Sequence, residues 1–189
     1  MKRLTILASG SGSNAENIVN YFKDNNDIKV IQVLTNNKNA KVIDRCKRLT
    51  IKCLLFNRDD FYHSNTILNL LKETSDYIIL AGFLWKIPVN IIKEFDKRIL
   101  NIHPALLPKY GGKGMYGKHI HLKVLKNKET KTGISIHYVN ENYDEGAIIF
   151  QKEVSLSDKE TLASIQEKIH QLEMANFPKI IEKVIKQNG

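Results

Sequence analysis

The chain has 189 residues, 42% hydrophobic and 26% charged, with a formal net charge of +9. That length fills one core, and the sequence reads as a single domain over residues 1–189. No run approaches the roughly 18 apolar residues of a membrane span, and the apolar stretch 4–8 is too short for a signal-peptide core, so a cytoplasmic protein with no membrane partner is expected. The lysines are spread along the chain rather than gathered in an aromatic-interleaved stripe. This argues for a solvated surface and against a nucleic-acid partner, although a positive field still draws anionic small substrates. Cys46 and Cys53 lie in no metal or redox spacing and read as small core or boundary residues.

Residues 4–9 form a short apolar run ending in a glycine-rich turn, the mark of a buried strand. A helix is predicted over 14–23, a second strand over 28–34, a helix over 39–49, a short strand over 51–56 and a helix over 61–73. The run 76–81 is the clearest buried strand; Pro88 suits the first turn of a helix reaching Phe95, and 98–102 is the next strand. This alternation predicts an α/β fold, a mostly parallel sheet with helices on both faces. Beyond a helix at 118–127 the pattern changes to two hairpin-like strands, 132–139 and 147–154, separated by a polar segment. A long amphipathic helix from Asp158 toward Lys186 closes the chain, with a kink expected at Pro178.

The first turn reads Gly10-Ser11-Gly12-Ser13-Asn14-Ala15, between a strand and a helix. A dinucleotide site would also need an acid near the end of the second strand, where Leu34-Thr35-Asn36-Asn37 stands instead. The remaining reading is a phosphate cradle: close backbone approach at the glycines, free N–H groups at a helix start, and side-chain donors from Ser13 and Asn14. The bland alternative is a tight turn with Asn14 as N-cap.

The most informative stretch is Leu100-Asn101-Ile102-His103-Pro104. If the strand runs on to His103, Asn101 and His103 share one face and can donate toward one oxygen gaining negative charge, the equipment of acyl transfer. A carboxylate to orient the imidazole is available in the polar segment, where spacing leaves Asp144, Glu141 and Glu145 open.

Five segments in order and spacing, ASGSGSN at Ala8, LAGF at Leu80, LNIHPALLPKY at Leu100, TGISIHYV at Thr132 and DEGAIIFQ at Asp144, resemble the phosphoribosylglycinamide formyltransferases, folate-dependent enzymes of purine synthesis. The resemblance spans nearly the whole chain. It implies a Rossmann-like formyltransferase fold and formyl transfer from the co-substrate 10-formyltetrahydrofolate to the amine of glycinamide ribonucleotide. It also implies a catalytic trio of Asn101, protonated His103 and Asp144, with no metal. Gly12, Ser13 and Asn14 match the family's phosphate contacts and Glu173 its ribose contact. Arg58 matches the folate's glutamate-tail contact; Leu84, Trp85, Lys86 and Ile87, with Asn101, match the pterin side. Leu84-Trp85-Lys86-Ile87 stands where many members carry Met-Arg-Ile-Leu, and the glycines of 111–117 lengthen a loop and suggest mobility. Among other histidines, His63 and His170 read as solvent-facing, His119 and His121 as a pair lacking a third metal ligand, and His137 as structural near Asp144. The alternatives are hydrolysis of the same formyl donor, or a phosphate-ligand or nucleic-acid binding module.

Overall fold

The central strands are apolar nearly throughout, so successive side chains supply two opposite buried faces. The computed structural model describes residues 1–188. Strands β1 (Lys2–Leu7), β2 (Ile28–Thr35), β3 (Lys52–Leu55), β4 (Tyr77–Leu80), β5 (Ile99–His103), β6 (Lys131–Tyr138) and β7 (Ile148–Ser155) form one sheet. Their order is β3-β2-β1-β4-β5-β6-β7. Strands β1 to β5 pair in parallel, and β6 and β7 pair antiparallel at one end, as the hairpin-like reading expected.

Leu4, Ile6, Ile79, Leu100 and Ile102 pack on one side beneath α1 (Ser13–Phe22), α2 (Val42–Arg48), and two helices further along the chain. Leu7, Ile78, Leu80 and Ile99 pack on the other beneath α3 (Thr66–Thr74) and α4 (Val89–Glu94). The two further helices are α5 (Lys118–Lys126) and α6 (Leu162–Asn188). Each fully buried side chain of this kind contributes about 1.5–3 kcal/mol. Period-two alternation puts Asn101 and His103 on the face of Ile99, the α3–α4 side. There the covering element is not a helix but the loop 140–146, which brings Asp144 against His103 and His137.

Three helix starts differ from the sequence reading by more than one residue. The helix expected over 61–73 is two pieces, a π-helical turn Asp59–His63 and α3, because Ser64 turns extended and its hydroxyl engages Thr66. Helix α2 starts at Val42 rather than 39, since the Asn37 side chain takes the Asn39 N–H into a local turn. Helix α6 starts at Leu162 rather than 158, because Thr161 and Ser164 cap each other's backbone N–H reciprocally.

Helix α6 runs through Pro178. A proline has no N–H for the carbonyl four residues back. That carbonyl, on Met174, instead accepts a 2.9 Å hydrogen bond from Asn17 Nδ2 of α1.

Candidate active site

In an open parallel sheet, loops leaving neighbouring strands in opposite directions open a crevice where the strand order reverses. Here that point lies between β1 and β4. A cavity of about 670 Å³ is lined by the loops after both strands, the end of β5, loop 112–118 and one face of α6.

At one end stands the glycine turn. Gly12 has φ 75°, and a Cβ there would sit 2.5 Å from Val42 Cγ2 and 2.8 Å from Val42 Cα. Only glycine fits. Gly12 itself is the N-cap of α1 and makes no side-chain cap bond, so Asn14 is not the N-cap. Arg45 holds the turn from behind, Nε donating to the Ser11 carbonyl at 2.8 Å, while its guanidinium pairs with Glu16. Asn14 Nδ2 donates to Glu173 Oε2 at 2.9 Å, and its buried Oδ1 has no protein donor. A carboxyl beside an unpaired acceptor suits a ligand bearing hydroxyls.

Burial pushes the Glu173 carboxyl up from 4.5 to about 7, partly opposed by the Asn14 bond. The folded chain therefore holds a proton there that the unfolded chain releases. Its contribution is complete below pH 4.5 and fades as pH rises through about 7. At most about 3 kcal/mol is involved. Denaturant unfolding of the native chain and of Glu173→Gln should therefore differ by an amount that changes over this range. A pH-independent difference would remove the shifted carboxyl.

At the other end, Asn101 and His103 leave β5 side by side opposite His137 and Ser135 of β6. His137 Nδ1–H donates to the Tyr138 carbonyl at 2.8 Å, which leaves Nε2 to accept from Asn101 Nδ2 at 3.1 Å. The second amide N–H of Asn101 is left for another acceptor. His103 is 3% exposed. Its Nε2–H donates to the Tyr110 carbonyl at 2.8 Å, and its Nδ1 lies 3.5 Å from Asp144 Oδ2. Asp144 Oδ2 also accepts from the Gly112 N–H at 3.0 Å, and Oδ1 lies 3.7 Å from His137 Nε2.

The structure thus selects Asp144 from the three carboxylates; Glu141 and Glu145 are exposed. Gly146 lets the loop close, because a Cβ there would lie 1.7 Å from the Tyr138 oxygen. Burial works to raise Asp144, but the adjoining His137 and His103 imidazoles and the Gly112 N–H together hold it below the usual carboxylate range. Burial lowers His103, and Asp144 and the Tyr110 carbonyl only partly restore it. Burial thus favours the neutral imidazole of His103 in the ligand-free protein.

Leu84, Trp85, Lys86 and Ile87 also line the cavity, with Ile87 buried and Leu84 exposed. The Leu84 N–H is bound by Ser9 Oγ and the Lys86 carbonyl by Tyr62 OH, at 3.0 and 2.8 Å. Trp85 packs among Phe56, Phe61, Tyr62 and Phe83. Arg58 lies outside the cavity wall, its guanidinium 4.9 Å from the Trp85 ring centroid.

His170 corrects another expectation: it is half-buried on the cavity wall, not solvent-facing. Gln166, Ile169, His170 and Glu173 all line the cavity from α6, and their 3-4-7 spacing in the sequence was the signal for a shared face. His119 and His121 part company, His119 exposed and His121 buried on the wall with Nδ1 lacking a partner. No group of three or more metal-ligating side chains occurs among the described residues. No helix among them is long and apolar enough to cross a membrane.

The family model for formyl transferases matches residues 2–181. A chloroplastic phosphoribosylglycinamide formyltransferase from Arabidopsis thaliana is 36% identical over 198 residues, covering 98% of this chain and 67% of its own. The phosphoribosylglycinamide formyltransferase of Bacillus subtilis is 31% identical over 195 residues, covering 100% and 97%. A crystal structure of phosphoribosylglycinamide formyltransferase from Bacillus halodurans superposes with a TM-score of 0.87 at 32% identity, covering 100% of this chain and 97% of that one. Sequence and architecture agree along nearly the full length, and the chain belongs to the formyl transferase family.

Proposed function

We propose that this chain transfers the formyl group of 10-formyltetrahydrofolate to the amine of glycinamide ribonucleotide, a step of purine synthesis. One observation carries the reading. The Asn101 amide, His103 Nδ1 and Asp144 converge in a cavity that is also lined by an anion-ready glycine turn and by the apolar, aromatic-backed segment Leu84–Ile87.

The donor supplies an electrophilic formyl carbon. Gly12 and Ser13 suit the acceptor's phosphate through the free N–H groups of α1, and Lys113 and Lys118 add positive charge to the same cavity. Asn14 and Glu173 suit its ribose hydroxyls. Leu84, Trp85 and Ile87 offer a flat apolar wall to the pterin, and Arg58 stands outside that wall where an anionic tail would leave.

Asn101 places its free amide N–H toward the formyl oxygen, where negative charge grows as the amine attacks. His103 can take a proton only at Nδ1, because Nε2–H is committed to Tyr110. Accepting it from the attacking amine creates an imidazolium beside Asp144, which stabilises that cation and directs the proton onward. No covalent link to the chain is needed. Both substrates are water-soluble, and two free thiols suit a reducing compartment, which supports a cytoplasmic site of action.

The test is absorbance-monitored consumption of 10-formyltetrahydrofolate with and without glycinamide ribonucleotide. Consumption only with the amine is expected. Equal consumption without it would make the chain a hydrolase of the donor, and none under either condition would reject the reading.

A further inference from the structure

The turn that follows β5 touches the site at two backbone points. The Tyr110 carbonyl accepts from His103 Nε2, and the Gly112 N–H donates to Asp144. Tyr110 holds φ at 61°, a left-handed conformation that costs a non-glycine residue about 1–2 kcal/mol. Such a conformation persists where surrounding contacts over-determine it.

Those contacts come from the far end of α5, away from the cavity. Tyr110 OH donates to Glu129 Oε1 at 2.6 Å and accepts from Asn127 Nδ2 at 2.7 Å. Lys109, the preceding residue, pairs with the same Glu129 oxygen. The Asn127 and Glu129 N–H groups are tied in turn to the carbonyls of Lys123 and Val124 in α5. The phenol is therefore a peg driven into a helix end, with a catalytic contact on the backbone behind it.

We propose that the Tyr110–Glu129 hydrogen bond is a positioning device: it fixes the Tyr110 carbonyl and thereby selects the Nε2–H tautomer of His103. Without that carbonyl either ring nitrogen can carry the proton. A proton on Nδ1 of the neutral ring would block the lone pair that faces Asp144 and the reacting atoms. Three titratable groups face His103: Asp144 from loop 140–146, His137 from β6 and His121 from α5. None of these offers Nε2 the fixed acceptor that the carbonyl does. The kinetic consequence rests on the role assigned to His103 above; the tautomer selection does not.

The experiment is long-range ¹⁵N–¹H correlation of the neutral histidines, run beside steady-state kinetics, on the native chain, Tyr110→Phe, Glu129→Ala and Glu129→Gln. The native chain should show one Nε2-protonated tautomer for His103. Tyr110→Phe and Glu129→Ala should show a mixture, with kcat about tenfold lower and both KM values within twofold. The acid limb of the kcat profile should move to lower pH, since the carbonyl bond raises the His103 pKa. Glu129→Gln keeps an acceptor for the phenol and should restore both tautomer and rate. An unchanged tautomer in Tyr110→Phe and Glu129→Ala overturns the inference, whatever reaction the chain catalyses. Mixed tautomers in a chain that transfers no formyl group would uphold the device and reject only the assigned reaction.

Discussion

His103→Ala should lower kcat for formyl transfer by about 10³-fold while the protein stays folded. The side chain is nearly inaccessible and bonds only through its ring nitrogens to the Tyr110 carbonyl and toward Asp144. Its removal deletes the one group placed to take the amine's proton. Asp144 keeps the Gly112 N–H, so its carboxylate is not left without a donor. Asn101 keeps its bond to His137, which preserves half of the oxyanion machinery. The pH profile gives an independent check. Because burial lowers the His103 pKa below 6.5, the native enzyme should hold its rate below that pH before the acid limb appears. The variant's residual rate should lack that limb. A near-native kcat in a folded His103→Ala protein would dismiss the mechanism.

Gly12→Ala should act through binding and stability together. Its new methyl would meet Val42, whose Cα is backbone and cannot rotate away, and the turn holds a positive φ. The left-handed conformation costs about 1–2 kcal/mol, and overpacking adds about 1–3 kcal/mol. The turn must therefore shift, and the Val42 N–H bond to the Gly10 carbonyl shifts with it. Because the same turn presents the N–H groups proposed to bind the acceptor's phosphate, KM for glycinamide ribonucleotide should rise at least about tenfold. KM for the folate donor should change less, since Trp85 and Ile87 lie beyond β4. Denaturant melts and two-substrate kinetics read both effects. Unchanged acceptor KM in the variant would remove the turn from the binding site.

Much of this was legible because the relevant signals are local. Runs such as 76–81 announce parallel strands by continuous hydrophobicity, and the two-residue spacing of Asn101 and His103 holds on a strand wherever the sheet places it. Asp144 could not be separated from Glu141 and Glu145, because the choice is made by a loop folding back over β6. His170 reads as solvent-facing because it lies off the apolar stripe of its helix. A helix facing a cavity lines it with polar side chains at the same spacing, which Gln166 and Glu173 display. The carbonyl of Tyr110 and the N–H of Gly112 leave no mark on the sequence, since every residue has such groups. The direction of the His103 shift is illegible for a related reason: spacing supplies a carboxylate partner, but burial is a property of the whole fold.

Pro178 puts two kinds of fitness in opposition. Judged as one helix, α6 would gain about 3 kcal/mol from any ordinary residue there. Such a residue would return an N–H to the Met174 carbonyl and set it competing with Asn17 for that oxygen. The two helices joined by the Asn17 bond are those whose side chains meet as Asn14 and Glu173, one residue before Met174 and one turn before Asn17. The proline thus surrenders continuity within one helix so that a second can lock its rotation and height, and the Asn14–Glu173 pair inherits that lock.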